Sequence, residues 1–146
     1  MKAYNLTKAH IQRINDVFKN TIEISLLNIK DLEDYPFLLI IQSIIENSIK
    51  LSIYPLKKDK IIKLTFSGFN FSIDTFDEIS KTLKNIQIIH TSGVLLIAKQ
   101  LFYECYLNLS LAEIEAMELK KTLEKIKNIF KEIKIEEIAL EKIKEN

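Results

Sequence analysis

The chain has 146 residues, 47% of them apolar and 28% charged, which is enough for one globular domain with a core and rules out a disordered polymer. Its 21 basic and 20 acidic side chains leave a formal charge of +1, and Arg13 is the sole arginine, so no basic surface argues for nucleic acid or an anionic membrane. Two glycines exclude a Walker loop or a dinucleotide fingerprint, and the single Cys105 excludes an intrachain disulfide and a cysteine zinc cluster. A reducing, cytoplasmic compartment is expected from that cysteine usage.

Leu6, Ile11, Ile14, Val17 and Phe18 recur at helical spacing and predict an amphipathic helix over residues 6–20. No apolar signal core opens the chain. "TIEISLLNI" then alternates Ile22, Ile24 and Leu26, as a half-buried strand does. After a charged turn and Pro36, "FLLIIQSIIENSI" reads as a helix apolar on most faces, too short to cross a bilayer. "KLSIYPL" and "KIIKLTF" read as two strands of a hairpin joined by "KKD", with Lys57, Lys58, Lys60 and Lys63 as edge protection. "SIDTFDEISKTLKN" predicts a second helix, capped at Asp74 or Thr75, with Glu78 at capping-box spacing from Thr75. Thr91-Ser92-Gly93 is expected to open a third helix over residues 92–106, followed by a closing strand at Leu107, Leu109 and Leu111.

From Ala112 to Asn146 there is no glycine or proline, and Glu and Lys abound. Ala116, Leu119, Leu123, Ile126, Phe130 and Ile133 alternate spacings of three and four, the pattern of a helical seam, with a slip near "IKIEEIAL". This stripe must be covered, by the chain itself, by a second copy or by another protein. Leu119, Leu123, Ile126, Phe130 and Ile133 are therefore the candidate interaction residues. The expected fold is an α/β (α+β) two-layer sandwich. A mixed, mostly antiparallel sheet carries helices on one face, and a long C-terminal helix follows. Its divisions are an N-terminal helix (1–21), an α/β domain (22–111) and a helical tail (112–146).

Two stretches carry a family resemblance. "FLLIIQSIIENSIKLS", with Asn47-Ser48-Ile49-Lys50, resembles the N-box helix of histidine-kinase-type (GHKL) ATPases. "HTSGVLLIAKQLFYECYLNLS" resembles their later segment, in which a glycine turn opens a helix and a strand follows. Asn47, Gly68 and Gly93 fall on motif-like positions. Ser67 stands where that family has its adenine-reading acid and Ser43 where a metal-holding residue is usual. The pattern is closer to the histidine phosphotransferases of bacterial phosphorelays. What the resemblance implies is a non-enzymatic signalling adaptor on a degenerate kinase-like scaffold, dimeric, docking a receiver or kinase domain.

The alternatives are a true phosphotransferase and a helical assembly protein acting through its tail. In the first, His10 is the phosphoacceptor, although Ile11 and Gln12 follow it where an acid is usual. A plain surface position is the other reading of His10. His90 reads as a loop residue, Glu46 and Asn47 as an exposed helix face or a site relic, and Cys105 as core packing. No histidine or cysteine pair has metal-ligand spacing, and no cofactor is implied.

Overall fold

The computed structural model describes residues 9–16, 21–27, 29–116 and 118–140. The chain divides into two units, Met1–Leu32 and Glu33–Asn146. Within the first, residues 9–13 have no regular structure, Ile14–Asp16 form a single 3-10 turn, and residues 21–25 form no strand. The remainder of the helix expected over 6–20 lies outside the described residues.

The second unit is mostly β. In chain order it comprises β1 (Phe37–Ile45), β2 (Ser48–Leu56), β3 (Lys60–Gly68), α1 (Ile73–Thr82), β4 (Ile88–Ile97), β5 (Gln100–Leu107), α2 (Leu111–Ala116), α3 (Leu119–Ile126) and β6 (Glu132–Ala139). β1 and β2 make a two-stranded sheet, and the other strands a four-stranded antiparallel sheet in the order β4-β5-β3-β6. Among the described residues no helix is long and apolar enough to cross a membrane.

This overturns the helix-on-sheet sandwich with a long C-terminal helix. Three expected helices are strands or end in one. Residues 37–45 form β1, because four isoleucines among nine residues disfavour a helix and an uninterrupted apolar run does not distinguish the two states. Residues 92–106 lie in the β4–β5 hairpin, whose two-residue turn Ala98-Lys99 has both residues at positive φ, 50° and 65°. That is the geometry of a type I′ turn, made here without the asparagine or glycine that usually announces it. The tail breaks at Glu118, which has φ 55°, and again after Ile129. Beyond the break, Ile133 and Ile135 have period two and pair with Phe66 and Leu64.

The hairpin expected between residues 50–56 and 60–66 is also corrected. Both strands form, but β2 joins β1 and β3 lies inside the other sheet, so Lys63, paired on both sides, is not on an edge. The helix expected over 72–85 is α1. Its cap is Ser72, three residues earlier than Thr75: the Thr75 N–H donates to Ser72 Oγ (3.2 Å) and the Ser72 N–H to Thr75 Oγ1 (3.1 Å).

The core lies between the four-stranded sheet and its helices. Ile62, Leu64 and Phe66 of β3 and Cys105 and Leu107 of β5 are fully buried there against Ile79, Leu83, Ile114, Leu119, Leu123, Ile126 and Phe130. Phe66 has ring contacts with Phe130 (5.0 Å) and Tyr103 (6.4 Å). On the opposite face of the sheet Ile61 is buried against Leu39 and Ile41 of β1, with Tyr54, Ile89, Tyr106 and Ile138 around them.

Candidate protein-binding surface

The β1–β2 hairpin is apolar on both faces, and only one is covered. Its register sets Phe37, Leu39 and Ile41 against Leu56, Tyr54 and Ser52 on the covered side. On the other side Leu38 faces Pro55, Ile40 faces Ile53, Gln42 faces Leu51 and Ile44 faces Ile49. Seven of those eight side chains are apolar, none is charged, and Ile40, Ile44 and Ile49 are 54%, 80% and 68% exposed. A sheet face of this kind on a folded domain marks an interaction surface.

The rim of the hairpin adds a groove. A cavity of about 580 Å³ is lined by Phe37, Leu38, Leu39, Ile40 and Gln42 of β1, by Lys58 to Ile61, and by Ile138, Ala139 and Leu140 at the end of β6. Among the described residues β1 has a strand neighbour on one side only, and so has β6. The groove therefore runs between strands that each have one row of main-chain N–H and C=O groups outside any ladder.

Polar contacts hold the hairpin in place. Tyr54 Oη lies 2.7 Å from His90 Nδ1, and the His90 ring meets the rings of Tyr54 (5.6 Å) and Tyr106 (6.0 Å) edge-on. Lys58 Nζ donates to Glu113 Oε1 at 2.7 Å, and this hydrogen bond holds the Glu113 carboxyl below the ordinary carboxylate range. On the sheet face beyond the hairpin, Lys63 pairs with Glu104 at 2.8 Å. Burial works to lower the Lys63 pKa, but the Glu104 hydrogen bond and nearby charges outweigh it and hold the ammonium above its usual value.

The residues singled out from the sequence fall elsewhere. His10 is exposed, on a segment with no regular structure. Leu119, Leu123, Ile126 and Phe130 are 4–5% exposed inside the chain's own core, and Ile133 is partly buried against it. Of the three covers open to that stripe, the chain itself supplies this one. Glu46 and Asn47 form the β1–β2 turn, with Glu46 at φ 50°. Thr91, Ser92 and Gly93 lie in β4 at a bulge, where Gly93 takes φ 72° and the Glu104 N–H donates to Ser92 Oγ at 3.0 Å.

Cys105 is fully buried. Burial pushes its thiol up to about 11, a shift that a hydrogen bond with Tyr103 partly offsets, so no nucleophilic thiolate is available near neutrality. Among the described residues no group of three His, Cys, Asp or Glu side chains is placed to hold a metal ion. The surface residues Leu38, Ile40, Ile44 and Ile49 were hidden in the sequence inside an apparently buried helix. The signal that marks them is the isoleucine density of residues 40–49. Comparison with family models, curated proteins and solved structures gave no match.

Proposed function

We propose that this protein is a non-enzymatic binding module of the adaptor type, which holds an extended apolar segment of a partner protein as an added strand along β1. The observation that carries the reading is the groove beside β1: a mostly apolar lining, with Gln42 and Lys58 to Lys60 at its polar part, next to a strand with ladder positions that no described strand occupies. Main-chain hydrogen bonds would supply affinity, and the alternate side chains of the incoming strand would enter the apolar lining. A receiver or kinase domain qualifies as the partner through an exposed strand or tail of its own. The phosphotransferase alternative would use His10, which is exposed on a segment without regular structure.

The test uses a panel of short labelled peptides in which valine, isoleucine, leucine or phenylalanine alternates with threonine. Fluorescence anisotropy should show saturable binding to the whole chain. Leu38→Asp, in the groove, and N-methylation of alternate peptide nitrogens should each abolish it. No saturable binding across the panel, or binding indifferent to N-methylation, overturns the reading.

A further inference from the structure

The four-stranded sheet has two edges, and they differ in chemistry. β6 carries Glu132, Lys134, Glu136 and Glu137 among eight residues. Charges so placed are a common guard against edge-to-edge pairing. β4, at the other edge, has the sequence IIHTSGVLLI: ten residues with no lysine, arginine, aspartate, glutamate or proline. Its last four residues, Val94, Leu95, Leu96 and Ile97, are 44%, 45%, 71% and 56% exposed, so both faces of this stretch are apolar and open to water. The Ser92–Gly93 bulge lies on the N-terminal side of it, and Val94–Ile97 runs in regular register with β5.

We infer that β4 is the dimerisation strand: Val94–Ile97 pairs antiparallel with the same segment of a second copy, joining two four-stranded sheets into one of eight. The occupant follows from symmetry and charge. A two-fold axis perpendicular to the sheet sets a residue against its own copy, and facing residues of an antiparallel pair share a face. Centred on Leu95, it places Leu95 opposite Leu95 and Val94 opposite Leu96 of the other copy. The pairs formed by Val94, Leu95 and Leu96 are then aliphatic, Ile97 lies opposite Gly93, and no like charges meet. The same operation at β6, centred on Glu136, would set that carboxylate against its own copy. This contact uses the free ladder positions of β4 and closes as a dimer. It stands apart from the peptide groove at β1, so either can fail without the other.

The experiment is solution mass by light scattering over a range of concentrations, on the whole chain and on two variants. The wild-type chain should have the mass of a dimer. Leu95→Lys should have the mass of a monomer while keeping its circular dichroism spectrum, and Glu137→Lys on β6 should stay dimeric. A wild-type chain that is monomeric at every concentration, or a folded Leu95→Lys that remains a dimer, overturns the inference. If Leu95→Lys fails to fold, amide hydrogen exchange on the wild-type dimer decides. Val94–Ile97 amides should gain protection as concentration rises; protection independent of concentration overturns it.

Discussion

The two faces of the four-stranded sheet are built to different standards. On the helix-covered face Ile62, Leu64, Phe66, Cys105 and Leu107 have no exposed surface, and three helices close over them. On the other face the cover is a two-stranded hairpin that anchors through Leu39, Ile41 and the Tyr54–His90 contact, beyond which Lys63, Glu104 and Glu136 stand in a charged patch. A two-stranded hairpin is marginal by itself and depends on what it packs against. Stability is thus concentrated on one face, and the element with spare apolar surface and spare ladder positions lies on the other. An added strand at β1 would make that hairpin three-stranded and extend the cover that the described residues provide.

The sharpest way to break this comparison is to delete side chains on both faces. Phe66→Ala removes a fully buried ring that touches Phe130 and Tyr103, and is expected to lose about 3–5 kcal/mol of stability. Leu123→Ala, at 4% exposure on α3, is expected to lose about 2–5 kcal/mol with no change in solution mass, since the chain itself covers that residue. On the hairpin, Ile41→Ala should fall at about 2 kcal/mol, the low end of that range. The exposed Ile44→Ser should stay within about 0.5 kcal/mol. Denaturant midpoints at constant slope read all four. An Ile41→Ala loss as large as that of Phe66→Ala would show that the faces form one equally packed body.

A second, smaller effect comes mainly from the helix-covered face. The buried Cys105 thiol has its pKa raised from an ordinary 9.0 to about 11 in the folded chain. Below pH 9 both states hold the proton and stability is unaffected. Above it the unfolded thiol ionises first, the unfolded state binds fewer protons, and stability falls as the pH rises toward 11. The slope in that window is about 1.4 kcal/mol per pH unit for a fully effective group. Tyr103, raised by burial, and Lys63, raised mainly by its Glu104 hydrogen bond, add losses of the same sign. Unfolding titrations between pH 8 and about 11 should show Cys105→Val with a visibly flatter alkaline limb than wild type. Equal slopes would mean that the thiol titrates in the folded chain as it does in water.

Part of this architecture was legible in the residues. The helix over 72–85 announced itself by a capping pattern, read at Asp74 or Thr75 with Glu78 although the cap is Ser72, and the strands around Leu51–Leu56 and Lys60–Phe66 by their short β-type runs. What failed was the choice between states for apolar runs. Residues 37–45 are apolar on both faces, so period carries no information, and isoleucine content was the better guide. Partnering failed for another reason: Lys57–Asp59 looks like a hairpin turn, yet it carries the chain from one sheet to another, a choice made by distant strands. The tail was misread because Leu119, Leu123 and Ile126 are truly helical, and the extended Phe130 and the strand residue Ile133 fit the same seam by accident. With those states misassigned, the surface at Leu38, Ile40 and Ile44 stayed hidden. The stripe at Leu119–Ile133 took its place as candidate contact because exposure is a property of the finished fold.

The least legible element offers the smallest test. The β4–β5 turn places Ala98 at φ 50° and Lys99 at φ 65°, a left-handed conformation that a side chain with a Cβ adopts at a cost of about 1–2 kcal/mol per residue. The pair is held there by the ladder on both sides, with Ile97 opposite Gln100 and Leu96 opposite Leu101. Replacing it by the residues that favour a type I′ turn, Ala98→Asn with Lys99→Gly, removes that strain, while glycine gives back part of the gain through the freedom of the unfolded chain. The net expectation is a stabilisation of about 1 kcal/mol, seen as a higher denaturant midpoint at unchanged slope. Solution mass should not change, because the substitutions lie beyond Val94–Ile97 and leave the free ladder of β4 as it is. A destabilised double variant would show instead that Lys99 or Ala98 makes contacts in the turn that outweigh its backbone strain, and that the tip of this hairpin is shaped by its side chains more than by its dihedral angles.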